Sequence, residues 1–165
     1  MKTALFFATS TGNSEEIANK ISQNLENIEV YDLSNTNIEK INEYDKLILG
    51  GSTWGDGELN DDWEDIWDDF TKIDLSNKTV ALFGLGDQES YDDEFCSALG
   101  TIYEQVKNAG AKVVGFTSVD GYYHAQSKAQ VGNDFVGLVL DEDNQSDLTD
   151  ERISLWTEKI KKDIL

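Results

Sequence analysis

Apolar and polar positions fall into alternating blocks along the whole chain. Five runs read as strands: "TALFFA" (3–8), "IEVYDL" (28–33), "KLILGG" (46–51), "TVALFG" (79–84) and "KVVGFT" (112–117). Several are apolar at every position, the pattern of a parallel sheet covered on both faces. Helical stripes lie between them. Ile17, Ile21 and Leu25 recur every four residues, and Trp63, Ile66, Trp67 and Phe70 follow the i, i+3, i+4, i+7 rule. Phe95, Leu99, Ile102 and Val106 repeat the stripe before the fifth strand, and Ile153, Trp156, Ile160 and Ile164 form the last one. Thr149 is placed to cap that last helix, with Leu148 and Ile153 spaced as its hydrophobic staple.

The order βαβαβαβαβα predicts an α/β fold, a five-stranded doubly wound parallel sheet with ligands bound at the carboxyl ends of the strands. One segment breaks the rhythm. Residues 118–135, "SVDGYYHAQSKAQVGNDF", separate the fifth strand from another strand-like run, "VGLVL" (136–140), and so split that strand.

Composition narrows the function. A chain of 165 residues fits one domain over 1–165, long enough to bury about two-thirds of its unfolded surface. No apolar stretch approaches membrane-spanning length and no signal-peptide pattern opens the chain, so a soluble cytoplasmic protein is expected, with no membrane partner. Thirteen basic against 33 acidic residues give a net charge of −20. Nucleic acid is excluded as a partner, because binding it needs phosphates neutralised. Such a charge steers basic partners and also keeps the chain soluble. The one cysteine, Cys96, cannot form an intramolecular disulfide or ligate an iron–sulfur cluster, and with one histidine a structural zinc site lacks ligands.

Three loops carry the candidate chemistry. "TSTGNS" comprises Thr9, Ser10, Thr11, Gly12, Asn13 and Ser14, between a buried strand and a helix start, where backbone N–H groups favour an anion. The loop lacks the Gly-Lys-Ser/Thr ending of a nucleoside triphosphate site and the G-x-G-x-x-G dinucleotide fingerprint. A phosphate monoester held by neutral donors fits instead. After the third strand comes "GSTWGDGELNDDW", with Trp54 outside the helical stripe. After the fourth comes "GLGDQESYDDEF", with Tyr91 in a comparable place. Two aromatics on adjacent loops can sandwich a flat ring whose phosphate lies in the first loop, a description of flavin mononucleotide (FMN).

These motifs together resemble the flavodoxins over essentially the whole chain. "TSTGNS" is similar to the family's phosphate loop T-x-T-G-x-T. "STWGDGEL" and "GLGDQESY" look like its two ring-flanking loops, and "FVGLVLDEDNQSDLTDERI" like the carboxyl-terminal signature of the long-chain class, which the strand-splitting insert defines. The resemblance implies sheet order 2-1-3-4-5 and a low-potential one-electron carrier, not an enzyme, with non-covalent FMN and no metal. It places the phosphate on Thr9 to Ser14 and the ring between Trp54 and Tyr91. The ring edges fall on Ser52, Thr53, Gly55, Asp56 and Gly57 and on Leu85, Gly86 and Asp87. It maps Glu94 and Cys96 near the cofactor and Asp143 beside the ribityl chain. Ser52 stands where many members carry proline, which removes a restraint from its loop.

The resemblance also implies a switch. A Gly55 carbonyl turned toward the ring accepts a hydrogen bond present only in the neutral semiquinone, and glycine reaches the needed backbone angles cheaply. The acids around the loops (Asp56, Glu58, Asp61, Asp62, Asp87, Glu89, Asp92, Asp93) then resist the anionic hydroquinone. One charge about 8 Å away opposes it by on the order of 2 kcal/mol at an effective dielectric near 20. Expected partners are basic surfaces of redox proteins, such as a flavodoxin/ferredoxin reductase and acceptor oxidoreductases, met by a monomer.

Two rivals share the topology. A flavodoxin-like NAD(P)H quinone reductase needs an arginine-rich nucleotide patch, which this chain lacks. A receiver domain needs acids after strand one, a phosphoacceptor aspartate after strand three and a lysine after strand five, where this chain reads "ATST", "GGST" and "FTSV". His124 reads as a surface residue or, in "GYYH", a partner contact, and Cys96 as packing.

Overall fold

The computed structural model describes residues 2–9, 12–54 and 57–165, apart from the Trp54 side chain. The continuous apolar runs form a parallel sheet buried on both faces, as their pattern demands. Strand β1 (Thr3–Ala8) lies between β2 (Glu29–Asp32) and β3 (Lys46–Trp54), and β3 pairs on its far side with β5 (Thr79–Leu85). A two-residue strand, β4 (Glu58–Leu59), folds back antiparallel on the end of β3. The outer edge of β5 takes two short strands in succession. β6 (Lys112–Val114) pairs with Thr79 to Ala81, and β10 (Leu138–Leu140) with Phe83 to Leu85. The fifth strand is therefore split by the insert, and the order 2-1-3-4-5 holds.

Alternate side chains of each strand feed two cores. On one face Leu5, Phe7 and Ile48 meet helix α1 (Asn13–Asn24) and helix α4 (Thr149–Ile164) through Ile17, Ile21, Ile153, Trp156 and Ile160. On the other, Phe6, Leu49 and Leu82 meet helix α2 (Asp61–Phe70) and helix α3 (Ser97–Asn108) through Trp63, Phe70, Leu99, Ile102 and Val106. Among the described residues, no helix is long and apolar enough to cross a membrane.

Local expectations change in four places. The connection between β2 and β3 holds a 3-10 helix, Ile38–Glu43, instead of an α-helix. Phe95 is buried but lies outside α3: Cys96, at φ +53°, turns the chain before the helix begins. Thr149 does not cap α4. A 3-10 turn, Ser146–Leu148, runs straight into the helix and Thr149 lies inside it, its hydroxyl donating to the Glu142 carboxylate. With Leu148 as N-cap the staple positions no longer apply. His124 is half-buried, not a plain surface residue: its ring packs against Phe95 and Phe135, with centroids 5.2 and 5.1 Å away.

The insert forms a small antiparallel sheet from β7 (Thr117–Ser118), β8 (Gln130–Val131) and β9 (Asp134–Phe135), in order β7-β9-β8. Aromatic packing fastens it to the domain. Tyr122 and Phe135 close on Phe95, the Tyr122 hydroxyl donates to the Val139 carbonyl, and the Arg152 guanidinium lies 4.1 Å over the Tyr122 ring.

Candidate cofactor-binding site

The three loops of interest meet at the carboxyl edge of the sheet, where the chain order reverses between β1 and β3. In the first loop, Gly12 adopts φ +92° and serves as N-cap of α1 without a side-chain acceptor. First-turn N–H groups at a helix start of this kind can serve an anion, and the helix dipole favours negative charge there. The Gly12 N–H donates to the Thr9 hydroxyl at 2.8 Å, which folds the loop back on itself. Asn13 is exposed, whereas Ser14 is fully buried with its hydroxyl 3.0 Å from that of Ser52. Ser52 therefore gives its loop a side-chain tie. Ser10 and Thr11 lie outside the described residues.

The second loop is a hairpin. Thr53 and Trp54 pair with Leu59 and Glu58, and the Thr53 hydroxyl accepts the Ala98 N–H at 3.2 Å, in the first turn of α3. Gly57 adopts φ +92°, a region that favours glycine. A Cβ there would stand 2.6 Å from Glu94 Oε2 and 3.1 Å from the Ser97 Cβ, so the hairpin packs directly on the third loop. Gly55, Asp56 and the Trp54 side chain lie outside the described residues.

The third loop leaves the buried Leu85 with the Gly86 N–H donating to the Leu140 carbonyl at 3.0 Å. A Cβ on Gly86 would meet the Cys96 thiol at 2.8 Å, so Cys96 packs beneath the loop. Burial, with Asp141 nearby, pushes that thiol well above its ordinary value and leaves it unreactive. Burial also works to raise the Asp87 carboxyl, but the N–H groups of Ser90 and Glu89 and the Asn144 amide outweigh it and hold it below the ordinary range. Tyr91 remains 44% exposed, an aromatic side chain left open to solvent at this edge. The Glu94 N–H donates to the Tyr91 carbonyl at 3.2 Å.

Behind this loop lies a polar network that the motifs did not single out. Asp141 is fully buried, with no salt bridge among the described residues. Its oxygens accept from the Gln88 backbone and amide at 3.1 and 2.8 Å, and from the Asn144 backbone and amide at 3.1 and 2.9 Å. The buried Gln88 also accepts the Tyr123 N–H, which links the insert to the third loop. Asp143 is exposed, and its carboxyl is raised by partial burial and by its neighbours Asp87, Asp141 and Glu142. The available sequence signal was Asp141 itself, a carboxylate set directly after a fully buried strand at the sheet's ligand-binding edge.

Known proteins share this arrangement. The sequence profile of the flavodoxin family matches residues 5–156. A flavodoxin of Helicobacter pylori is 48% identical over 160 residues, covering 97% of this chain and 96% of its own. Flavodoxin 1 of Escherichia coli is 42% identical over 165 residues, covering 98% and 94%. The crystal structure of Fusobacterium nucleatum flavodoxin bound to flavin mononucleotide superposes with a TM-score of 0.92 at 34% identity, over 100% of both chains. With its split fifth strand and its three loops at the switch point, the chain belongs to the flavodoxin family.

Proposed function

We propose that the three loops hold FMN, with the phosphate on Thr9 to Ser14, the ring between Trp54 and Tyr91, and the ring edges on Ser52 to Gly57 and Leu85 to Asp87. Glu94 and Asp143 flank the cofactor and Cys96 packs below it. As a flavodoxin, the chain is an FMN-based electron carrier and not an enzyme. The observation that carries the site assignment is the convergence of two unlike features at one edge: a helix start with no side-chain cap at Gly12, and an exposed aromatic at Tyr91. The Ser14–Ser52 bond ties the first of these to the loop after β3.

The donor set suits a phosphate monoester on a flat ring. Backbone N–H groups and hydroxyls hold the dianion, the helix dipole supplies the positive end, and no lysine is required. FMN, once bound, supplies a ring that accepts electrons one at a time. The protein holds that ring against an aromatic face and keeps negative charge beside it. Gly55 is proposed as the residue whose carbonyl meets the ring edge.

Flavodoxins carry electrons between reductases and oxidoreductases. For this chain we assign basic partner faces, drawn by the net charge of −20 into brief, salt-sensitive encounters. It works as a cytoplasmic monomer of one domain.

The test is a titration of FMN and, separately, of riboflavin into the FMN-free protein, followed by flavin fluorescence. Stoichiometric quenching by FMN with much weaker binding of riboflavin supports the phosphate loop. Equal affinity for the two would remove the role of Thr9 to Ser14, and no binding of either would remove the site.

A further inference from the structure

Within Asp87 to Tyr91, Gln88 is the one buried residue, set between the half-buried Asp87 and the exposed Glu89, Ser90 and Tyr91. Both ends of its amide are engaged. Nε2 donates to Asp141 Oδ2 at 2.8 Å and to Gln145 Oε1 at 3.1 Å, and Oε1 accepts the Tyr123 N–H at 2.6 Å. Flipping the amide would set its oxygen against two acceptors and its nitrogen against an N–H, so the orientation is fixed. The Gln145 amide in turn donates to the Gly121 carbonyl at 2.9 Å. Two amides thus pin residues 121–123 of the insert to the third loop and to the segment after β10.

Asp141 makes this arrangement stringent. A fully buried carboxylate with no salt bridge among the described residues is tolerable only while hydrogen-bond donors serve it. Two of its donors, the Gln88 N–H and amide, belong to the third loop, and a third, the Asn144 amide, is shared with Asp87. The Asp87 carboxylate accepts in turn from the N–H groups of Glu89 and Ser90, and its carbonyl accepts the Tyr91 N–H at 3.0 Å. Moving the stretch that carries Tyr91 therefore strips donors from a buried carboxylate, and the same motion pulls on the insert.

We propose that Gln88 is a positioning residue: by holding Asp87 to Tyr91 in one arrangement against Asp141, it pre-forms the ring side of the cofactor site and couples that site to the insert. The inference rests on the FMN reading above. Gln88 acts through Asp87 and Tyr91, not by contact with the cofactor. A coupling of this kind is reciprocal, so the order that the insert lends to the cofactor site is returned to the insert when the cofactor binds.

The experiment compares wild type with Gln88→Met, which keeps the length of the side chain without its hydrogen bonds. The control is Ile164→Val, a buried residue of α4 whose carbonyl accepts the Thr3 hydroxyl at the amino end of the sheet. Dissociation constants for FMN and for riboflavin are read by flavin fluorescence, and amide exchange at 121–123 by NMR with and without FMN. Gln88→Met is expected to weaken both flavins alike by about two- to tenfold, the worth of one net hydrogen bond, because the ring side loosens while the phosphate loop does not. Ile164→Val binds as wild type does. In the wild type FMN slows exchange of the Tyr123 amide, and in Gln88→Met that slowing is reduced. Unchanged binding in Gln88→Met, a loss shared by Ile164→Val, a loss confined to FMN, or a Tyr123 amide indifferent to FMN in the wild type overturns the proposal. Should Gln88→Met not fold, the wild-type exchange measurement decides alone. Failure of the wild type to take up either flavin would instead overturn the reading on which the proposal rests.

Discussion

The buried hydroxyl of Ser14 lies 3.0 Å from that of Ser52, fastening the first turn of α1 to the end of β3. The loop assigned to the phosphate and the loop assigned to the ring are thereby one mechanical unit. Removing one partner strands the other in a half-buried place. Ser14→Ala is expected to destabilise the FMN-free protein by about 1–3 kcal/mol, and a double-mutant cycle with Ser52→Ala should return a coupling of about 0.5–1.5 kcal/mol. Urea unfolding of the four proteins measures both, and purely additive effects would show that the contact carries nothing.

Gly57 combines φ +92° with a neighbour where its Cβ would go. Gly57→Ala should destabilise the fold by more than about 1 kcal/mol and weaken FMN binding as the hairpin lifts off Glu94. Gly132, at φ +64° with open space around it, isolates the backbone part. Gly132→Ala should therefore be milder in stability and silent in FMN titration.

Asp87 and Asp143, whose carboxyls share one cluster with that of Asp141, have opposite pH signatures. The Asp87 carboxyl is held low in the folded state, so its stabilisation is complete above about pH 4 and is lost as pH falls through the folded value. The Asp143 carboxyl is held high, so its penalty is present at neutral pH and relieved as pH falls through its folded value. Asp87→Asn should lower the melting temperature at pH 7 and converge with wild type in acid. Asp143→Asn should raise it at pH 7, with the gain disappearing in acid. Shifts parallel at every pH would contradict both assignments.

Arg152, the only arginine in the chain, places its guanidinium over the Tyr122 ring beneath the insert. A guanidinium can stack on an aromatic face as an ammonium cannot, so lysine is a poor substitute. Arg152→Lys should loosen the insert by about 0.5–2 kcal/mol. Amide exchange ought to accelerate at 117–135 while α1 is unaffected; a uniform change across the chain would point to global destabilisation instead.

Much of this architecture was legible because β1, β3 and β5 are apolar on both faces and because "VGLVL" restarts the fifth strand after the insert. The second connection was less so. Ile38 and Ile41 are spaced by three, the period of a 3-10 turn, and too few for an α-helical stripe. Phe95 keeps helical spacing with Leu99, yet the left-handed Cys96 lies between them. Thr149 carries a good capping side chain, but Glu142, seven residues before it, accepts its hydroxyl. In the site, hydroxyls and glycines after a buried strand announced the first loop. The Gln88–Asp141 pair joins residues 53 positions apart, and the clamp of Glu94 on Gly57 likewise joins two loops; such contacts exist only once the sheet has formed.

The central claim is that this chain binds FMN and passes single electrons. Stepwise anaerobic photoreduction of the FMN-loaded protein, followed by absorbance, tests it most directly. The account predicts two resolved one-electron stages, with a blue one-electron-reduced form accumulating before full bleaching. Bleaching in a single two-electron stage, accompanied by NADPH-dependent quinone turnover, would contradict it.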